Sequence, residues 1–508
     1  MRFSLILSLV VLLAISTGAA AAPPEEAIVR TPPPSPQPRI NGAKVFGVRP
    51  GHPLLFTIAA TGRRPMEFAA EGLPAGLKLD AASGRLSGAV ARPGEYCVTL
   101  RVRNALGAAE RNFRIVVGDR LALTPHMGWN AWYIWETKET DKKIRDAADA
   151  MLTSGMINHG YSYVNIDSGW TMKIGSTAPD LSGPPRDAQG RINPNRRFPD
   201  MKALTDYIHQ RGLKAGIYCL PGPIDNPTHH GGYVGSYQHE AEDARCFAEW
   251  GFDFLKYDWC EFDKFTGRSS LADLQRPYAL MWGELKKQNR DIVFNLCQFG
   301  MGDSWKWAAT MGNSWRTAGD LGGRSIFYDG FDLYANHQLH KFGGPGGWND
   351  PDYLLLGYVF DDHGGTSRTR LTPNEQYTQV TLWSLVAAPL IFSGDMMRLD
   401  DFTLNLLCND EVIDVDQDPL GRPGFRVAKR GGLEVWARDL EDGSKAVGLF
   451  NRGETQSAVT AKWSDLGLHG RQLVRDLWRQ KDLGPYENQF TVTVARHGAE
   501  LVRLTPVK

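Results

Sequence analysis

The chain has 508 residues, 42% of them hydrophobic, with 57 basic and 57 acidic side chains and a formal net charge of zero. That length calls for two to four domains with large apolar cores, and the charge balance argues against a nucleic-acid or anionic-membrane partner. Six scattered cysteines, Cys97, Cys219, Cys246, Cys260, Cys297 and Cys408, form neither a disulfide scaffold nor a Cys/His metal pattern. Residues 1–22 read as a secretory signal: Arg2 supplies the positive start, Phe3 to Ile15 the apolar run, and Gly18 to Ala22 a small-residue cleavage region. No later stretch is long and apolar enough to span a bilayer. The mature chain is therefore expected to be soluble and exported, secreted or periplasmic.

Residues 23–38, with Pro32, Pro33, Pro34, Pro36 and Pro38, read as an extended proline-rich spacer. From 39 to 118 the pattern becomes short alternating strands with glycine turns, such as Leu54–Ile58, Tyr96–Val102 and Arg111–Val117. The stretch from Gly72 to Leu79, followed by Gly84 to Gly88, resembles the immunoglobulin-like repeats appended to secreted bacterial enzymes. A small β-sandwich without chemistry of its own is expected there.

From 119 to 415 strands alternate with helices. Strand-like runs lie near 122–128, 161–167, 213–218, 252–258, 291–297, 314–320, 345–350 and 388–394. Between them fall amphipathic patterns such as Thr140 to Met156, and a capping box at Thr372-Pro-Asn-Glu375 opens another helix. Eight such units predict a (β/α)8 TIM barrel; an open doubly wound sheet is the alternative, but no glycine-rich phosphate loop follows any strand. Residues 416–508 return to short strands, Leu433–Ala437, Lys445–Phe450 and Phe490–Val494 among them, predicting a C-terminal antiparallel β-domain.

A barrel places its active site at the carboxyl ends of the strands. Residues 126–132 close the first strand, Asn165-Ile-Asp-Ser168 the second and Tyr218 the third. Lys256-Tyr-Asp258 closes the fourth, Asn295-Leu-Cys-Gln298 the fifth, the run from Trp315 to Asp320 the sixth, and Trp348 to Asp352 the seventh. Residues two apart in a strand share a face, so Lys256 and Asp258 point together, and two opposite charges on a buried strand are costly unless something uses them. Several aspartates among tryptophans and tyrosines, without metal-ligand histidines, a Ser/His pair or a phosphate loop, fit glycoside hydrolysis, which needs two carboxyl groups across the bond. Asp258 is the better nucleophile, because Lys256 on the same strand face lowers its pKa. Asp320 is the better acid/base, held protonated by an enclosed pocket; Arg316 positions substrate. No metal and no cofactor is expected, and the partner is a carbohydrate substrate.

Met127-Gly-Trp-Asn130, Asn165-Ile-Asp167, the run Gly212 to Tyr218, Phe254-Leu-Lys-Tyr-Asp258, Trp315-Arg-Thr-Ala-Gly-Asp320 and Gly347 to Asp352 resemble the α-galactosidases of glycoside hydrolase family 27, in order and spacing across 121–425. The resemblance implies a retaining double displacement with Asp258 as nucleophile and Asp320 as acid/base, the two carboxyls about 5–5.5 Å apart. It also implies that Trp132, Asp167, Tyr218, Lys256, Arg316 and Asp352 grip the terminal sugar. Three positions depart from the pattern: Ser168 replaces a second aspartate, Gln298 a glutamate, and Tyr353 a methionine. A carboxylate accepting two sugar hydroxyls outweighs a serine by about 1–3 kcal/mol, so relatives acting on β-L-arabinopyranosides, N-acetylgalactosaminides or isomaltose-type glucosides stand as alternatives, as does a silent carbohydrate binder. The family's disulfide partner for Cys260 is not evident in the loop from Thr228 to Gly232, and oligomeric state is left open.

Overall fold

The computed structural model describes residues 25–222, 229–259, 267, 270–321, 324–361 and 365–507. Residues 1–22, expected to be a signal, and Cys260 lie outside them. Among the described residues Cys97, Cys219, Cys246, Cys297 and Cys408 are free thiols.

The middle of the chain forms eight parallel strands: Met127–Asn130, Tyr163–Asn165, Lys214–Cys219, Phe254–Asp258, Val293–Cys297, Ser314–Arg316, Trp348–Asp350 and Leu390–Phe392. Each pairs with the next in sequence, and the eighth pairs with the first, Met127 opposite Leu390. The seventh strand does not reach the eighth. The chain just beyond it closes the ring instead: Leu354 donates its N–H to the Ile391 carbonyl at 2.8 Å and accepts from Ser393 N–H at 3.1 Å. The strands are buried on both faces, which is why their sequences read as continuous rather than alternating apolar runs. A side chain at Gly216 would meet the Asn165 Oδ1 at 1.8 Å, so only glycine fits inside the barrel there.

The helix expected from Thr140 runs Asp141–Thr153, with the Thr140 hydroxyl accepting from Lys143 N–H. The Thr372 capping box opens Pro373–Leu385. That helix is buried along nearly its whole length because it is wedged between barrel and C-terminal domain. Its polar side chains find partners there: the Thr378 hydroxyl donates to the His497 carbonyl at 2.8 Å, and Thr381 accepts from Trp478 Nε1 at 3.0 Å. The C-terminal domain is a six-stranded sheet from Phe425–Arg430 to Ala499–Pro506, with a two-stranded sheet of Ser457–Lys462 and Gln489–Val494. Trp436, Phe450, Trp478 and Leu501 belong to the same continuous apolar core as the barrel.

The N-terminal domain is a β-sandwich of a four-stranded and a three-stranded sheet. Its long hairpin, Gly94–Asn104 with Gly107–Val117, turns where the Asn104 side chain accepts from Leu106 N–H at 2.8 Å. Phe68, Leu86, Leu100, Phe113 and Ile115 form a core separate from that of the barrel. This domain sits under the amino ends of the barrel strands and is held mainly by polar contacts. Arg49 Nε donates to Asp291 Oδ1 at 2.6 Å, and its other nitrogens reach the carbonyls of Lys286, Gln288 and Arg290. Thr57 donates to the Gly212 carbonyl at 2.7 Å.

The proline-rich segment is extended but is no free spacer. Arg30 lies 4.0 Å over the Tyr377 ring, pairs with Glu500 at 3.3 Å and donates its backbone N–H to Asn405 at 3.0 Å. Residues 25–31 thus lie along the seam between barrel and C-terminal domain.

Charge-assisted hydrogen bonds that are partly shielded from water contribute about 1.5–3 kcal/mol. Replacing Arg49 by alanine should weaken the attachment of the N-terminal domain by about that amount, read as faster limited proteolysis between the two domains. Unchanged proteolysis would make Arg49 redundant.

Candidate active site

The carboxyl ends of the strands bring the expected residues to one rim. On the fourth strand all five side chains from Phe254 to Asp258 are buried. The Lys256 ammonium donates to Asp167 Oδ2 at 3.0 Å and lies 5.9, 5.3 and 5.1 Å from the ring centres of Trp132, Tyr218 and Tyr353. Burial pulls its pKa down, but the charges of Asp167 first, and Asp258 among the weaker ones, hold it well above the ordinary lysine value. Lys256 contacts Asp167 directly, and the Asp258 charge acts on it more weakly. Asp258 accepts from the Tyr218 hydroxyl at 2.9 Å and from Trp259 N–H at 2.7 Å.

At the second strand's end Asp167 and Ser168 are both buried. Asp167 Oδ1 accepts from Ser168 N–H at 2.8 Å, and the Asp167 N–H donates to Glu139 Oε2 at 3.1 Å. Gln298 is buried too, its amide nitrogen donating to the Met301 carbonyl, so it staples its own loop.

The sixth strand ends at Arg316, and Asp320 lies beyond it in the following loop. The buried guanidinium reaches Asp320 Oδ1 at 3.0 Å through Nη1, and Asp352 Oδ2 at 3.2 Å and the Ala318 carbonyl at 3.2 Å through Nη2. The expectation that an enclosed pocket keeps Asp320 protonated does not hold. Burial raises its pKa, but Arg316 and Lys256 outweigh burial and hold it below the usual aspartate value. Its side chain is 48% exposed at the mouth of the barrel; burial is still the largest single influence on it, and only the two cations together exceed it.

Asp352 stands in contrast. It has φ +88°, a backbone region unfavourable for a residue with a side chain, and is 1% exposed. Its Oδ2 accepts from the Tyr133 hydroxyl at 2.8 Å and from Leu321 N–H at 2.8 Å. Burial raises its pKa to about 6, against the pull of Arg316. Tyr353 is buried beside it, edge-on to Tyr133 with ring centres 6.1 Å apart.

His126, expected at the rim, lies instead before the first strand, at its amino end. It packs on Phe254 with ring centres 5.0 Å apart, and burial lowers its pKa to about 4. Two contacting residues escaped the sequence reading. Tyr133 follows Trp132 directly, so extending the first strand's rim by one residue finds it. Glu139 lies in a loop and carries no sequence signal. Among the described residues no cluster of His, Cys, Asp or Glu is arranged to hold a metal ion.

An eight-stranded parallel barrel with carboxylates, two buried cations and aromatic rings converging on its mouth defines a glycoside hydrolase. Residues 124–418 match the model of the α-galactosidase A family, residues 430–504 that of the α-galactosidase C-terminal β-sandwich domain, and residues 37–118 an Ig-domain model. The chain is 38% identical over 416 residues to the α-galactosidase of Oryza sativa subsp. japonica, covering 80% of this chain and 91% of the relative. A crystal structure from Bacteroides fragilis NCTC 9343 superposes with a TM-score of 0.84 at 33% identity, covering 93% of this chain and 99% of that one. The β-L-arabinopyranosidase of family 27 from Geobacillus stearothermophilus superposes with a TM-score of 0.67 at 28% identity, covering 76% and 97%. The chain belongs to the α-galactosidase family of glycoside hydrolases.

The shifted carboxyl of Asp352 has a thermodynamic consequence. Its folded pKa, about 6, exceeds the ordinary aspartate value of 3.8, so its contribution to stability is full below about pH 4 and is lost as pH rises through 6. The stability of the wild type relative to Asp352→Asn, which stays neutral, should fall by about 1–3 kcal/mol between pH 4 and pH 7.5. Denaturant unfolding at the two pH values measures this. A difference independent of pH would mean that the buried carboxyl ionises normally.

Proposed function

We propose that the protein is an exported retaining glycosidase that removes a terminal α-galactosyl residue from oligo- or polysaccharides. The observation that carries this reading is the pair Asp258 and Asp320, both at the barrel mouth but in different surroundings. Asp258 is buried and accepts two hydrogen bonds, which stabilise the ionised form a nucleophile needs. Asp320 lies at the solvent side, where a leaving group would depart.

In this mechanism an Asp258 oxygen attacks the anomeric carbon while Asp320 gives its proton to the departing glycosidic oxygen. A covalent glycosyl–enzyme results, and Asp320, now a carboxylate, takes a proton from the water that hydrolyses it. In the empty site Asp320 is paired with Arg316. A bound sugar displaces water at the mouth and strengthens the burial that already opposes that pairing, which moves Asp320 toward the protonated form the first step requires. Lys256, Asp167, Arg316, Asp352, Tyr218 and Trp132 would grip the sugar, with Ser168, Gln298 and Tyr353 shaping specificity. The mature chain would begin after residue 22, with domains at 39–118, 119–415 and 416–508.

A second reading, a β-L-arabinopyranosidase, is favoured by Ser168 standing beside Asp167 where the family pattern has a second aspartate, and by Tyr353 crowding Lys256 at 5.1 Å. A panel of p-nitrophenyl α-galactoside, β-L-arabinopyranoside, α-N-acetylgalactosaminide and α-glucoside decides: preference for the first supports the main reading, and preference for another member replaces it.

Asp258→Ala should abolish turnover and regain it with azide, giving a product of inverted configuration. Asp320→Ala should lower kcat by about 10²–10⁴-fold on substrates with poor leaving groups and far less on activated aryl glycosides. Full activity of Asp320→Asn on a poor leaving group would remove that aspartate from the acid/base role.

A further inference from the structure

The loop after the first barrel strand contains a buried glutamate that the mechanism above does not use. Glu139 is 0% exposed, and its Oε2 accepts the backbone N–H of Asp167 at 3.1 Å. Its other oxygen is buried and, among the described residues, has no hydrogen-bond partner. Nor is the approach of the two loops loose. Gly169, two residues beyond Asp167, has φ +110°, and a side chain there would meet Thr137 Cα and its carbonyl oxygen at 2.8 Å. The loop is fixed from below as well: Arg197 donates to the Thr137 carbonyl at 2.9 Å, and Asp141 N–H donates to the Arg197 carbonyl at 3.0 Å.

Asp167 is thus held at three points. Lys256 takes Oδ2, Ser168 N–H takes Oδ1, and Glu139 takes the backbone N–H. The first two contacts set the carboxylate; the third, with the Ile166 N–H bond to the Gly216 carbonyl at 3.0 Å, sets where the peptide that carries it stands at the strand's end. Burial, then the neighbouring Asp167 charge, raises the Glu139 pKa well above the ordinary glutamate value; the carboxyl oxygen facing Asp167 is the hydrogen-bond acceptor.

We propose that Glu139 is a positioning residue for sugar binding: as a buried hydrogen-bond acceptor it fixes the Asp167 peptide, and so aims the one carboxylate left at a corner where the family pattern has two. The proposal rests on the reading of Asp167 as a sugar-binding group. It makes Glu139 a determinant of affinity rather than of chemistry.

The test uses the full-length protein and the best substrate of the aryl glycoside panel. Glu139→Gln, which keeps an acceptor oxygen and the volume, should retain KM within about twofold. Glu139→Met, of similar volume but without an acceptor, should raise KM about tenfold while kcat changes less than about threefold. In the Asp167→Asn background, Glu139→Met should add nothing further, because the residue acts through Asp167. A raised KM in a well-folded Glu139→Gln variant would overturn the proposal, as would full additivity with Asp167→Asn. If Glu139→Met does not fold, the Gln variant alone still decides. If Asp167→Asn leaves KM unchanged, the sugar-binding reading of Asp167 fails; if Asp167→Asn raises KM and Glu139→Met does not, only the positioning role fails.

Discussion

Two cations buried at the mouth of the barrel govern the site. Lys256 and Arg316 are both almost fully withdrawn from water, a state that costs several kcal/mol per ion unless carboxylates repay it. Lys256 is repaid by Asp167 and Arg316 by Asp352 and Asp320. Each cation therefore organises one side of the mouth, and the two aspartates proposed for chemistry fall within their fields. The arrangement is rigid because removing any one partner strands a buried charge. That is a poor way to add stability and a good way to hold carboxylates in place for a sugar.

The same logic separates the carboxyl groups by charge state. Asp320 shares Arg316, is partly open to solvent and also feels Lys256, so the cations together outweigh burial and it stays ionised. Asp352 shares the same guanidinium but is buried beside other carboxylates, so burial dominates and its proton is held more tightly. Glu139, buried next to Asp167 with no cation in contact, goes further in the same direction. Shared cations for two of them, and different depths of burial for all three, thus give three carboxyls different affinities for a proton.

Much of this was legible in the sequence, for reasons that can be traced to particular residues. The eight strands announced themselves because parallel strands buried on both faces are continuous apolar runs, and Lys256 and Asp258 stood out as charges at the end of one such run. The Thr372 capping box was readable because its partners lie three residues apart. What was not legible depends on contacts distant in sequence. The protonation of Asp320 was misjudged because its exposure is set by the surrounding loops rather than by its strand. Glu139 was invisible because nothing local marks a loop glutamate as buried. The segment with Arg30 looked like a spacer because its partners Tyr377, Asn405 and Glu500 lie some 350 to 470 residues away.

The two flanking domains relate to the barrel in different ways. The C-terminal sheet continues the apolar core of the barrel, and it also grips the helix Arg324–Asn336 that follows the Asp320 loop: Asp332 on that helix accepts from Arg426, Lys429 and Arg452 of the sheet at 2.8 to 3.1 Å. Those three cations hold its carboxyl far into the ionised range. Arg316 thus holds Asp320 on the barrel side, and the helix that follows is anchored to the C-terminal sheet. The N-terminal sandwich, in contrast, has its own core and a polar junction at the opposite end of the barrel, with a cavity of about 120 Å³ left between them. An interface that leaves a void and relies on Arg49 makes a weaker demand on packing than a shared core does. The C-terminal domain is consequently part of what holds the helix that follows Asp320, whereas among the described residues the N-terminal domain meets the barrel at the end remote from the site.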